Sequence, residues 1–382
     1  MLPAEEVEAF VSALSTTDEE RKARYPGDRL TNQPVHTCYV PAHQFRPDTV
    51  THWGTTALET LRANPIELPA PVRERVERKL ATQPIEDLRI DFEDGYGAPD
   101  DETEDADAIR AAKALPDTPY VGLRIKSFDT AALRRRAIRT LDLFLTSLDG
   151  PLPPGLLITF PKVTGVRQVE VFVNLLAHLE TQLGIGPLAF EIQVETPQTI
   201  IDSAGRIALP SFIEAGQGRV RGLHFGTYDY TAGLGLPTTS QHLAHHACDF
   251  ARHIMQVSAA GTGIWCSDGS TNILPVGDAI QHGWQTHATL VRRSLDHGFY
   301  QGWDLHPNQL VTRYATVYAF YRNETPNATA RLTNYLDHTA GTVADEPATA
   351  RMLAVFLLRA LRCGAVDPGE LPLGQDRLRQ LL

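Results

Sequence analysis

Acidic side chains recur along this chain at the ends of short apolar runs, and they are the residues best suited to chemistry. The stretch RIDFEDGYG (89–97) sets Asp91, Glu93 and Asp94 behind Ile90 and Phe92. Arg124 and Lys126 follow in GLRIKSF, Lys162 in ITFPKV, Glu195 in IQVET, and Asp229 between Tyr228 and Tyr230. Asp268 comes after GIWCS, and Asp304 with His306-Pro307 in GWDLHP. Gathered in one place, so many carboxylates repel one another and are costly to bury unless a hard cation neutralises them. Magnesium or manganese meets that need with two carboxylates from adjacent strands, the other positions going to water or substrate oxygens. A Lewis-acid cation beside a fixed guanidinium would stabilise the enolate that forms when a carbon–carbon bond next to a carbonyl is made or broken. Arginine also suits a substrate carboxylate, because its planar fork binds two oxygens. A nearby carboxylate would serve as general acid or base. No lysine stands out as a Schiff-base nucleophile ahead of these acids.

Such a set must be positioned by regular elements, and the chain alternates between two kinds. Short β-branched runs occur at 36–41, 88–92, 120–125, 156–160, 188–194, 220–225, 263–266 and 302–305. Between most of them lie stretches with helical spacing, such as APVRERVERKL and GVRQVEVFVNLLAHLETQL. Strand-then-helix repetition implies parallel strands joined by right-handed crossovers. Eight such strands with polar residues bunched after each predict an α/β fold of the (β/α)8 TIM-barrel type, with the chemistry at the C-terminal strand ends. A doubly wound open sheet competes, but no Gly-rich fingerprint follows the first strand. Residues 1–35 read as an N-terminal helical segment, 36–310 as the catalytic barrel, and 311–382 as a C-terminal helical extension.

The bulk properties narrow the function further. The chain has 382 residues, 42% of them hydrophobic, and a formal net charge of −11, which argues against nucleic acid or an anionic membrane surface as a partner. Four cysteines lie far apart without a CxxC pair, as in a reducing compartment. The start MLPAEEVEAF lacks the features of a signal peptide, and no run reaches membrane-spanning length. The expectation is a soluble cytoplasmic protein. The extension and its apolar stretch RMLAVFLLRAL point either to a homo-oligomer or to packing on the chain's own barrel. Histidines 242, 245, 246 and 253 lie in a helix-like stretch away from the strand ends and read as surface.

The motifs LRIDFEDGYG, GLRIKSF, ITFPKV, IQVETPQTI, GLHFGTYDYTAGLG and GFYQGWDLHPNQL, in that order, resemble the strand ends of the citrate lyase β-subunit/HpcH/HpaI aldolase superfamily. That superfamily includes the malyl-CoA lyases, and TYDYT and GWDLHP also resemble the malate synthase barrel. The resemblance implies a magnesium-dependent lyase or aldolase of 2-oxo or 3-hydroxy acids. Glu195 and Asp229 would be the metal ligands. Arg124 would hold a substrate oxygen and stabilise an enolate. Asp94, with Asp91 behind it, would hold metal-bound water or move a proton, and Lys162 would organise the carboxylates. Tyr228, Asp268 and His306 would contact or frame the substrate. The pyruvate-type aldolases carry histidine where this chain has Asp94, so the likeness leans to the citrate lyase and malyl-CoA branch. A coenzyme A thioester is an alternative substrate, although no stretch reads as a coenzyme A clamp. A homologue that binds metal and carboxylate without turnover is the alternative from a different class. The long loops around IEAGQGRVRG and WCSDGSTNILPVG mark a divergent branch.

Overall fold

In the structure, a computed structural model, residues 2–29, 31–339 and 345–382 are described. Positions 1, 30 and 340–344, which the expected N-terminal segment and C-terminal extension include, lie outside the described residues. Eight strands run in chain order: β1 (His36–Pro41), β2 (Asp87–Asp91), β3 (Tyr120–Arg124), β4 (Leu156–Phe160), β5 (Ala189–Val194), β6 (Val220–Phe225), β7 (Trp265–Ser267) and β8 (Gly302–Asp304). All pairs are parallel, in the order β7-β6-β5-β4-β3-β2-β1-β8. A single bridge between Ser267 and Gln301 joins the remaining edges, so the sheet is a nearly closed (β/α)8 TIM barrel.

Each expected strand is present within a residue or two. The reason is visible in β2: Leu88 and Ile90 are fully buried in the apolar layer shared with the helices, while Asp87, Arg89 and Asp91 alternate onto the other face. That inner face is polar, where barrels of this type usually pack branched aliphatics. Arg89, wholly buried, crosses the barrel from β2 to donate to Glu191 of β5 at 2.9 and 3.0 Å and to Thr159 of β4 at 3.1 Å. It also pairs with Asp87, and His224 of β6 lies 3.0 Å from Glu191. Arg89 and His224 hold the Glu191 carboxyl below its ordinary value although burial pushes the other way. A buried charge network of this kind is tolerated because each carboxylate meets a cationic or N–H partner, although His224 Nδ1 is left without one among the described residues.

The helix Gln309–Leu336 starts directly after β8 and packs on the helices Thr49–Ala63, Ala70–Thr82 and Ile280–Asp296. The boundary expected at 310/311 therefore falls inside a helix that completes the barrel before running on to pack with the helix Pro347–Arg362. The helices Ala4–Ser12 and Ser15–Arg24 bury no side chain. No described helix is long and apolar enough to cross a membrane.

A candidate carboxylate and metal site at the strand ends

The backbone after β2 turns sharply because Asp91 ties it down. The Asp91 carboxylate accepts from the backbone N–H of Glu93 (2.9 Å) and Gly95 (3.0 Å). A Cβ at Gly95 would lie 2.8 Å from Asp91 Oδ2, so only glycine fits there. Arg124, at the end of the neighbouring strand β3, presents its fork to the same carboxylate, with Nε–Oδ1 and NH2–Oδ2 both at 2.6 Å. Its remaining nitrogen, NH1, lies 3.3 Å from Glu93. The guanidinium also stands over the Tyr39 ring, 5.0 Å from its centroid. Asp91 thus anchors the loop and Arg124, with both oxygens taken, and leaves NH1 of Arg124 beside Glu93.

Lys162 follows β4 in the left-handed region, at φ 50°, a conformation that costs a non-glycine residue about 1–2 kcal/mol. Its own contacts hold it there. Its N–H donates to Glu195 Oε1 at 2.7 Å, and its ammonium sits 2.5 Å from Glu93, 2.7 Å from Asp94 and 3.3 Å from Asp229. Burial alone pulls the ammonium down, yet Glu195, Glu93 and Asp94 together keep it above its ordinary value. Lys162 in turn holds Asp94 below the usual carboxylate range against the effect of burial.

Glu195 ends β5 almost wholly buried, and Gln193 Nε2 donates to its Oε2 at 3.0 Å. Its approach to β6 depends on Gly226, where a Cβ would come within 2.4 Å of the Glu195 Cβ. Burial pushes the Glu195 carboxyl up to about 8, with Glu93 and Asp229 adding to the rise and Lys162 opposing it. Asp229, in the first turn after β6, is half-exposed at the same mouth. These two residues fit a hard divalent cation. They are carboxylates on adjacent strand ends, one desolvated and short of positive charge, and each keeps lone pairs free for an ion that holds several waters.

A cavity of ≈300 Å³ lies over this cluster, and its wall includes Asp91, Asp94, Arg124, Glu195, Tyr228 and Asp229. Asp94, Asp91, Arg124, Glu195, Asp229 and Tyr228 are therefore brought together around one cavity, with Lys162 bracing them from one side. Tyr228 reaches over the cavity because its hydroxyl accepts the N–H of Asn272 at 2.7 Å. Two of the residues singled out lie apart from this cavity. Asp268 is fully buried on the outer side of the barrel, bound to Arg252 and Ser294 at 2.6 Å each, and does not line the cavity. His306 also lies off the cavity wall, its Nδ1 accepting the N–H of Asn308 at 3.2 Å.

Sequence reading left Glu93 without a role and missed Tyr39, Ser270 and Trp303. Glu93 links Lys162 to Arg124, and burial raises its carboxyl to about 7. Its place in the acidic run between Asp91 and Asp94 was the signal. Tyr39 and Trp303, from β1 and β8, line the cavity with ring centroids 4.7 Å apart. A second acidic grouping, His36, Cys38 and Asp304, has ligand-type atoms close together but is internally satisfied. Asp304 already binds His36, His287 and Arg313.

The raised carboxyls predict a pH dependence of stability. Between an unfolded value near 4.5 and the folded value of about 8, the native protein holds a proton on Glu195 that the unfolded chain has lost. Stability of the metal-free protein therefore falls as pH rises through that window, and Glu93 acts in the same direction up to about 7. Thermal melts in chelator should give a lower Tm at the alkaline end, and magnesium should restore it. The loss should shrink in Glu195→Gln; an identical pH profile in both proteins would refute the assignment.

Comparison with known proteins agrees with this fold. Residues 14–381 match the family model described as "Domain of unknown function (DUF6986)". The L-malyl-CoA/beta-methylmalyl-CoA lyase of Cereibacter sphaeroides is 28% identical over 251 residues, which is 61% of this chain and 72% of the lyase. Among solved structures, a citrate lyase from Burkholderia xenovorans superimposes with a TM-score of 0.65 at 19% identity, covering 93% of this chain and 98% of its own. The protein CitE from Mycobacterium tuberculosis, solved with magnesium, acetoacetate and coenzyme A, gives a TM-score of 0.54 at 19% identity over 87% and 99% of the two chains. The resemblance read from the strand-end motifs thus holds: the relatives include malyl-CoA lyases, and the fold neighbours include a citrate lyase and CitE.

Proposed function

The chain belongs to the DUF6986 family, and from that premise we propose that it is a divalent-cation-dependent carbon–carbon lyase acting on a 2-oxo or 3-hydroxy acid. The observation that carries this reading is the convergence of Glu195, Asp229, Asp94 and Arg124 on one cavity at the C-terminal mouth of the barrel. Glu195 and Asp229 would hold magnesium or manganese, which supplies Lewis-acid polarisation of a carbonyl. Arg124, fixed by Asp91, directs its remaining N–H groups at the oxygen where negative charge grows. Asp94, kept ionised by Lys162 and facing the cavity, takes or returns the proton at the reacting carbon. Tyr39, Tyr228 and Trp303 wall the substrate and exclude water.

A cavity of ≈300 Å³ suits a small carboxylic acid. The similarity to an L-malyl-CoA/beta-methylmalyl-CoA lyase favours a second reading, in which that acid is the end of a coenzyme A thioester whose tail runs outside the cavity. A homo-oligomer is part of the proposal. The helix Ala4–Ser12 exposes Val7, Phe10 and Val11, an apolar face that a monomer leaves in water.

Deuterium exchange followed by NMR, with magnesium and with chelator, tests the reaction class. Magnesium-dependent exchange at the methyl group of pyruvate is the expected result for a 2-oxo acid lyase. Exchange at acetyl-CoA, or its condensation with glyoxylate, selects the thioester reading. Binding of magnesium without exchange into either would remove the catalytic proposal and leave a metal- and carboxylate-binding homologue.

A further inference from the structure

The N-terminal mouth of the barrel, opposite the carboxylate site, holds a cavity of ≈570 Å³ that the proposed reaction does not use. Tyr120 and Trp265, at the starts of β3 and β7, stand in its wall at right angles, centroids 5.7 Å apart. The segments 151–157 and 184–189, which lead into β4 and β5 and are mostly proline, glycine and leucine, complete an apolar surface. Two arginines, Arg29 and Arg221, enter this space.

No aspartate or glutamate lines the cavity, in a chain whose net charge is −11. Among the described residues the two guanidiniums meet only carbonyl oxygens. Arg29 Nε donates to Gly263 at 2.5 Å and Arg221 NH1 to Gly218 at 2.6 Å. Of the acids around it, Asp87 and Glu191 lie deeper and are committed to Arg89, Thr37 and His224, Glu180 behind Leu188 is committed to Arg219, and Asp28, beside Arg29 in the chain, is exposed. Burial, and for Arg29 the charge of Arg221 as well, lowers the pKa of both arginines, which marks them as cations short of an anion.

We propose that this cavity is a binding site for a small organic anion with a flat apolar body and a phosphate or carboxylate group. The anionic group is held by Arg29 and Arg221, and the body rests against Trp265 and Tyr120. A guanidinium gains most from a charge-assisted bond to an oxyanion where water is partly excluded. An aromatic and proline-lined wall gains from covering an apolar ring. Both halves of such a ligand are met by residues that nothing at the opposite mouth employs.

The test is calorimetric titration of the full chain in chelator, so that no divalent cation draws the ligand to the other mouth. AMP serves as the phosphate probe and 2-naphthoate as the carboxylate probe. One-to-one binding of at least one probe is expected, weakened about tenfold or more by Arg29→Gln and by Arg221→Gln separately. Glu195→Gln should bind as well as the wild type. Each arginine variant is first matched to the wild type in circular dichroism and Tm, and because the two residues sit on different segments, a folding defect in one leaves the other informative. AMP alone, naphthoate alone or both binding in this way identifies phosphate, carboxylate or either as the recognised group. No binding of either probe at millimolar concentration overturns the site. So does binding that both arginine variants keep, or that only Glu195→Gln loses.

Discussion

Glu195→Gln is expected to abolish magnesium-dependent turnover, lowering kcat/KM by about a thousandfold or more, because it removes the buried half of the cation's charge partner. The substitution keeps shape and volume. It also has a local way to keep its hydrogen bonds, since Gln193 Oε1 is a buried acceptor without a partner beside the Glu195 carboxylate. Turning the Gln193 amide lets it accept from the new side-chain NH₂. The variant should therefore fold, and the metal-free form should melt no lower than wild type at alkaline pH, where the native carboxylate is held ionised at a cost. Loss of magnesium binding by calorimetry with a retained Tm is the combined signature. Asp229→Asn should weaken binding less severely, since its carboxylate is half-exposed and water can substitute for part of it. Full activity in Glu195→Gln would refute the metal assignment.

Arg124→Lys should cost about a hundredfold in turnover although the charge is kept. The reason is the Asp91 clamp. Two parallel contacts of 2.6 Å orient the guanidinium, and Asp91 at the same time fixes the backbone of Glu93 and Gly95. An ammonium makes one such contact at a time, so the group that faces the developing charge and the loop that carries Asp94 both lose their register. One or two buried hydrogen bonds go unmade, which should also lower stability by about 1–3 kcal/mol. The two effects separate experimentally: at a temperature well below both melting points the loss of turnover should persist. Activity restored merely by cooling would mean that Arg124 matters to the fold and not to the reaction.

Much of this architecture was legible before any coordinates. Short β-branched runs alternating with amphipathic stretches specify a parallel sheet with crossover helices, because those patterns bury one face of each element and little else does. The acidic strand ends followed, since the C-terminal mouth of a parallel barrel collects whatever side chains end its strands. Asp91, Asp94, Arg124, Glu195, Tyr228 and Asp229 are there for that reason.

What the sequence determined by itself is therefore the list of elements and the mouth of the barrel that holds the carboxylates, with a composition that calls for a cation. Only the tertiary structure decided which face each strand-end residue presents. Successive side chains on a strand point to opposite sides, so a shift of one residue moves a carboxylate from the cavity to the helix layer. In β8 that parity puts Trp303 in the cavity and sends Asp304 outward to His287 and Arg313. After β7 the Asp268 carboxylate likewise turns outward to Arg252 and Ser294. The same rule hides Arg89 and Glu191, which read as ordinary strand charges until two strands that are far apart in sequence face each other across the barrel. Local pattern fixes what each segment becomes; the closing of eight strands into one barrel fixes which of their polar groups meet.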